Sequence, residues 1–303
     1  MVRFGLNIGQ QQCSIDELRA VWDRAEAAGF EWLSVWDHFY PDNLPYSDPC
    51  FEGMALHAAM AERTSTARLG STVYCAAYRH PGVLANAVTT IDHLSGGRLE
   101  LGLGAGWHEP EFAAYGIPFE SPGTRLRRLA ETVEIVRGLW REKSFSYEGE
   151  FYTLTNAFCS PGPVQQYPRI WLGTLGEQKG LRLAGELADA WNCSLQPAET
   201  FARKRQKVLS YAADPSTYQT SVNLPFVPAS AGEFETELRR RFGPRSEQVH
   251  DLTLTGSADR IRAMIGPYVE AGADWINLSV RAPFDLDAFD WFGAEIIGKA
   301  GPP

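Results

Sequence analysis

The sequence predicts a parallel α/β fold, and within that class a closed (β/α)8 barrel in preference to an open, doubly wound sheet. Three observations carry this. Short β-branched or apolar runs alternate with amphipathic helices along the chain. Eight such runs are present, nearly all followed by a helix. The 303 residues keep one rhythm with no Pro/Ser-rich linker, at a length that barrels reach as one domain.

Each element has a local reason. Arg3–Ile8 reads as the first strand and ends at Gly9. Ser14 and Glu17 form a capping box, in which hydroxyl and carboxylate each satisfy the other's orphan N–H, and the helix it opens stops at Gly29. Residues 31–36 form the second strand, residues 51–63 a helix and residues 68–73 the third strand. Pro81–Leu94 is helical and stops at Ser95-Gly96-Gly97. Residues 99–103 make the fourth strand, and residues 124–140 a long helix with Arg and Glu on its polar face. Residues 169–172 and Ala190–Ser194 are the fifth and sixth strands, followed by helices over 177–187 and 198–213. Residues 220–227 give the seventh strand and Trp275–Val280 the eighth. Two stretches break the rhythm. Residues 145–168 read as an insertion carrying a hairpin. Residues 228–255 are irregular, with a short helix and the run Arg239-Arg240-Arg241, read as a solvated helix face or an anion contact. Residues 1–303 are therefore expected to form one barrel domain with two excursions.

Composition excludes several classes. Acidic residues outnumber basic ones 37 to 28, for a net charge of -9, which argues against a nucleic-acid or anionic-membrane surface. No apolar run approaches the ~20 residues that span a bilayer, and the first residues lack the basic and apolar regions of a signal peptide. A cytoplasmic protein is expected. The five cysteines (13, 50, 75, 159 and 193) are scattered, odd in number and never spaced Cys-x-x-Cys, so they read as reduced thiols rather than a zinc or disulfide framework. No metal is expected.

In a barrel, reactive groups gather just past the C-terminal ends of the strands. After the second strand come Trp36, Asp37 and His38. An imidazole there can give or take a proton near neutral pH, and Asp37 could orient it or hold its charge. The plainer alternative is that His38 only caps the strand. Tyr78 follows the third strand, and Gly104, Ala105, Gly106, Trp107, His108 and Glu109 follow the fourth. Glycines at 102, 104 and 106 let something lie flat on bare backbone, or reflect close packing. Gly173-Thr174-Leu175-Gly176 precedes a helix, where N–H groups can meet a phosphate, although Glu177 would repel one. Nucleophile-elbow, Walker and zinc-helix motifs are absent. His57 and His93 read as structural and His250 as exposed.

These residues resemble the bacterial luciferase-like flavin and deazaflavin oxidoreductases, and among them the branch dependent on coenzyme F420. The matching features are Ser34-Val35-Trp36-Asp37-His38, Arg79-His80-Pro81, the stretch from Thr90 to Arg98, the glycine strand through Gly106, Pro168 to Gly173, Ala188 to Asn192, and Glu270 to Asp274. The resemblance implies a barrel with the cofactor at the strand C-termini and His38, with Asp37, as the proton relay. It implies a bulge after the third strand, with a non-proline cis peptide at Thr72–Val73, backing the ring. Asn7, Thr72, Val73, Gly104, Ala105 and Gly106 would touch the cofactor, and Gly173, Thr174, Leu175 and Gly176 its phosphate. Relatives commonly carry paired glycines where this chain has Gly173-Thr174. Trp36, Tyr46, Tyr78, Trp107, His108 and Glu109 are the candidates for the pocket of a small organic substrate, and the family implies a homodimer.

The implied chemistry is hydride transfer with His38 relaying the proton, in a site that holds donor and acceptor together and excludes water. The first alternative keeps the fold but uses FMN and oxygen, as a monooxygenase. A non-catalytic flavin-binding relative would have no need of the Asp37-His38 pair. A metal-dependent hydrolase would need clustered ligands at the strand ends, which the sequence does not display.

Overall fold

The computed structural model describes residues 2–41, 45–228 and 232–299; part of the irregular segment, residues 229–231, lies outside the described residues. In chain order the elements are β1 (Arg3–Ile8), α1 (Ile15–Ala27), β2 (Trp32–Val35), α2 (Gly53–Arg63), β3 (Arg68–Ser71), β4 (Tyr74–Cys75), α3 (Pro81–Leu94), β5 (Leu99–Gly104), α4 (Glu109–Ala114), α5 (Pro122–Arg141), β6 (Phe145–Glu148), β7 (Thr153–Ala157), β8 (Ile170–Gly173), α6 (Gly180–Leu187), β9 (Ala190–Ser194), α7 (Ala198–Leu209), β10 (Gln219–Pro225), α8 (Phe234–Phe242), α9 (Ser246–Val249), α10 (Ala258–Glu270), β11 (Trp275–Val280) and α11 (Leu286–Phe292).

Eight parallel strands close on themselves in the order β3-β2-β1-β11-β10-β9-β8-β5, and β5 pairs back to β3. This is the predicted barrel. The third predicted strand is split: β3 ends at Ser71, the Thr72–Val73 peptide is cis, and β4 resumes the pairing with β5. The Ser14–Glu17 capping box is formed on α1. Residues 177–179 form a turn, so α6 starts three residues later than expected, and α7 ends at Leu209. The strands β6 and β7 pair antiparallel as a hairpin outside the barrel.

The two barrel ends differ. At the N-terminal end Trp32, Trp171 and Trp275 pack edge to face, with ring centroids 4.6 and 5.2 Å apart. Glu100 sits buried beneath them, accepting from Trp171 Nε1 at 2.7 Å and pairing with Arg169 at 3.1 Å and with Arg68. This end is filled. The C-terminal end opens into a cavity of about 700 Å3.

The basic run on α8 is not uniformly solvated. Arg240 is exposed, but Arg241 is buried: its guanidinium donates to the carbonyls of Arg281 and Pro283 and pairs with Glu237 at 3.2 Å. It ties the irregular segment to the end of β11. Phe242 and Val249 of that segment form a small core with Val227 and Leu238. All five cysteines are free thiols, three of them buried. Among the described residues no helix is long and apolar enough to cross a membrane.

Candidate active site

The cavity is walled by residues just past the strand ends. Asn7, Trp36, Asp37, His38, Thr72, Val73, Tyr78, Gly104 to His108 and Gly173 to Leu175 all line it. Strand direction and the closed sheet bring these separate segments together.

His38 stands on this wall, and its partner is not the neighbouring aspartate. His38 Nδ1 lies 2.9 Å from Glu111 Oε2. Glu111 also accepts from the Phe39 N–H at 2.6 Å, the Tyr40 N–H at 3.0 Å and the Tyr78 hydroxyl at 2.8 Å. The carboxylate is wholly buried. Burial would raise its pKa, but the hydrogen bond and charge of His38, the Tyr40 N–H and the Tyr78 hydroxyl outweigh this and hold it down to about 2. Glu111 is therefore held as the carboxylate near neutral pH.

The expected link between Asp37 and His38 is corrected. Asp37 accepts two bonds from Arg79, at 2.7 and 2.9 Å, and one from the Cys75 N–H at 2.7 Å. Both residues line the cavity, but the Asp37 carboxylate turns toward the bulge while the His38 ring turns toward Glu111. Arg79 in turn meets Glu52 at the start of α2. Asp37 thus fastens the β3–β4 bulge to the loop that carries His38.

The glycines also acquire a different partner. A Cβ at Gly104 would stand 2.6 Å from Val73 Cγ2, and one at Gly173 2.8 Å from Val73 Cγ1. At Gly102 it would strike the Ser71 carbonyl, and at Gly106 it would meet Cys75 and Phe112 at 2.7 Å. What lies against the bare backbone is the β3–β4 bulge and the Val73 side chain, not a ligand alone. Val73 forms part of the cavity floor. Beside it Asn7 Oδ1 accepts from Trp36 Nε1 at 2.6 Å and from Thr72 Oγ1 at 2.7 Å, which fixes both neighbours.

Three candidates fall off the wall. Glu109 opens α4 and is exposed; a helical step of two residues sends its side chain away from Glu111. Tyr46 lies behind His108, with its hydroxyl 3.5 Å from Nε2. Gly176 is beyond the cavity lining, whereas Gly173, Thr174 and Leu175 are on it. The objection raised by Glu177 weakens, because Arg203 at 2.6 Å and Lys204 at 3.3 Å hold its charge and lower its pKa.

His38, His108 and Glu111 place three possible metal-ligand atoms within 4.8 Å of one another. The sequence gives no sign of such a cluster, because Glu111 lies eight residues past the fourth predicted strand, in what reads as loop. The grouping is a tertiary effect, and Glu111 is already engaged by two backbone N–H groups and the Tyr78 hydroxyl. Trp107 lies edge-on to His38, with centroids 5.5 Å apart, and is half exposed at the mouth.

A family model described as "Luciferase-like monooxygenase" matches residues 1–242. The chain belongs to the luciferase-like monooxygenase family. Its relatives include an uncharacterized Mycobacterium tuberculosis protein, 36% identical over 138 residues, covering 46% of this chain and 48% of the relative. Another is an F420-dependent glucose-6-phosphate dehydrogenase of Intrasporangium calvum, 32% identical over 197 residues, covering 64% of this chain and 58% of the relative. The chain thus spans about half the length of the curated relatives it matches. Among solved structures, an F420-dependent secondary alcohol dehydrogenase in complex with an F420-acetone adduct superposes with a TM-score of 0.85 at 20% identity, covering 98% of each chain. The oxygenating constituent of a Pseudomonas putida diketocamphane monooxygenase, in complex with FMN, superposes at 0.78 and 16% identity, covering 100% of this chain and 99% of that one. At these identities the superpositions establish the shared luciferase-like barrel.

Glu111, Arg79, Arg245 and Arg281 are among the wall and anchor residues of this luciferase-like barrel that escape a sequence reading. Glu111 carries one usable signal: on α4 it shares an inward face with His108 and Phe112 at helical spacing. Arg79 carries only its place after the third strand. Arg245 and Arg281 line the cavity from the irregular segment and the end of β11, where no local pattern marks them.

Proposed function

We propose that this luciferase-like protein is a coenzyme F420-dependent oxidoreductase that transfers a hydride between the deazaflavin and a small organic substrate, with His38 relaying the proton. The observation that carries the reading is His38 itself: an imidazole on the cavity wall with Nδ1 engaged by a buried, ionised carboxylate and Nε2 left for a reacting partner. The protein residues suit such a cofactor. A cavity of about 700 Å3 lies within the range of sites that take a cofactor-sized ligand. Its floor carries the Val73 side chain, and the Gly173–Leu175 turn lines one side. Relatives named as F420-dependent dehydrogenases support the choice of cofactor.

When bound, the deazaflavin supplies the carbon that accepts or donates hydride. The chain supplies the rest. His38 gives or takes a proton at Nε2, and Glu111 balances the imidazolium charge across Nδ1. Tyr78 and the N–H groups of residues 39 and 40 keep Glu111 in place. Trp36 and Trp107 wall the site against water. The same reading carries a homodimer and a cytoplasmic location. An FMN-dependent monooxygenase is the second reading, favoured by the solved neighbour that holds FMN.

Purified protein is expected to bind F420 with quenching of tryptophan fluorescence, and FMN only weakly. His38→Ala should retain F420 binding and lose turnover. Tight FMN binding accompanied by oxygen consumption would sink the F420 reading.

A further inference from the structure

The two oxygens of Glu111 have separate tasks. Oε1 accepts from the Phe39 and Tyr40 N–H groups at 2.6 and 3.0 Å. Oε2 faces two imidazoles, with His38 Nδ1 at 2.9 Å and His108 Nδ1 at 3.3 Å, and takes the Tyr78 hydroxyl at 2.8 Å. One carboxylate oxygen thus stands between two ring nitrogens, and the proton relay uses only one of them.

Two imidazoles and a carboxylate are the donor set of a zinc site with an open fourth position. Among the described residues, the three ligand atoms lie within 4.8 Å of one another. An ion that holds its ligands tetrahedrally at about 2.0–2.2 Å keeps them about 3.3–3.6 Å apart. The two Oε2 distances already approach that spacing. The set is also held from behind: Oε1 by the two N–H groups, and His108 by the Tyr46 hydroxyl 3.5 Å from Nε2. Bonds of this kind orient metal ligands. The Glu111 side chain is wholly buried and that of His108 nearly so, while His38 keeps 14% exposure toward the cavity. The exposed His250 makes a contrast. It too meets two carboxylates, but Glu235 lies at Nε2 and Asp251 at Nδ1, on opposite sides of the ring, where they do not converge on one ion.

We propose that His38, His108 and Glu111 bind one divalent transition-metal ion of the zinc class. The ion takes the place at His38 Nδ1 that faces Glu111, and the ring's remaining proton then sits on Nε2. An imidazole in that state has no lone pair to receive another proton, and giving up the one it holds would leave an imidazolate. Metal binding and the proton relay therefore exclude one another, and the ion inhibits the reaction proposed above. That consequence rests on the oxidoreductase reading; the metal site itself does not.

The protein, purified without cofactor and stripped with EDTA, is titrated with Co2+, whose visible spectrum reports four-coordinate ligation, and with Zn2+ against a chromophoric chelator. Wild type should take one equivalent and ignore Mg2+, which prefers octahedral oxygen sites. His38→Asn, His108→Asn and Glu111→Gln should each weaken Zn2+ binding by about tenfold or more, and the exposed control His250→Asn should match wild type. Co2+ should also quench emission from Trp107, whose ring centroid lies 5.0 Å from that of His108 and 5.5 Å from that of His38. Trp107→Phe should lose this quenching and keep the ion. Circular dichroism checks that each variant is folded, and His108→Asn, which leaves the backbone bonds of Glu111 in place, carries the test if Glu111→Gln unfolds. No equivalent bound by wild type, or equal binding by all the variants, removes the site. With F420 bound, Zn2+ should abolish turnover and EDTA restore it; full turnover with the site filled would overturn the exclusion between metal and relay. One equivalent of Zn2+ bound by a protein that fails to bind F420 would keep the site and reject the cofactor reading instead.

Discussion

At the scale of single residues, Glu111 is where the site is most exposed to change. It joins α4 to the loop carrying His38, through the Phe39 and Tyr40 N–H groups and the imidazole, and it also accepts from the Tyr78 hydroxyl. Removing it leaves those buried donors without an acceptor, at about 1–3 kcal/mol for each that finds no water. Glu111→Ala is expected to lower the unfolding free energy by roughly 2–4 kcal/mol in urea titrations, and Glu111→Gln by less, because the amide oxygen still accepts. Equal, small losses in both variants would show the loop to be held by something else. A sequence reading finds His38 because a histidine past a strand end is conspicuous. It assigns the neighbouring Asp37 as partner because adjacency in sequence is all it can see. The actual carboxylate comes from 73 positions away, and only the closed sheet brings β5 and β2 to the same mouth.

At the scale of elements, the interrupted third strand governs its neighbours. Gly102, Gly104 and Gly173 lie on β5 and β8, and each makes room for the β3–β4 bulge. Gly102→Ala is expected to destabilise by about 1–3 kcal/mol, since an added methyl meets backbone that cannot rotate away. Gly162→Ala, where nothing lies within 4 Å of the new atom, should be close to neutral. Thermal unfolding of the pair decides it; equal midpoints would mean that the bulge yields. Strand positions were largely legible because a buried parallel strand is a short apolar run with a definite end. The register at which a strand breaks was not legible from periodicity, and only the family resemblance pointed to Thr72–Val73. The α4 helix was missed for a related reason: at six residues it is too short for an apolar period to declare itself.

For the whole molecule, acid stability follows from what the fold keeps neutral. His57 on α2 is fully buried, with Nδ1 2.8 Å from the Tyr74 hydroxyl, and burial lowers its pKa to about 4. Between that value and about 6.5 the unfolded chain binds a proton there and the native chain does not, so stability rises with pH across this window and falls as the solution is acidified. Urea midpoints at pH 6.8 and 4.5 should differ more in wild type than in His57→Gln, which cannot titrate. An equal difference would assign the acid sensitivity to other groups. The composition of the chain says nothing of this, nor of the cavity: a net charge of -9 coexists with two arginines on its wall.

The tryptophan-filled base of the barrel has a kinetic corollary. With Trp32, Trp171 and Trp275 packed over Glu100, nothing bound at the other end can depart through the back. Two reactants that occupy the cavity together must both come and go at the C-terminal face, so where one covers the other the deeper has to arrive first and leave last. Order of addition is then a property of the architecture, and product-inhibition patterns would read out which of the two lies underneath.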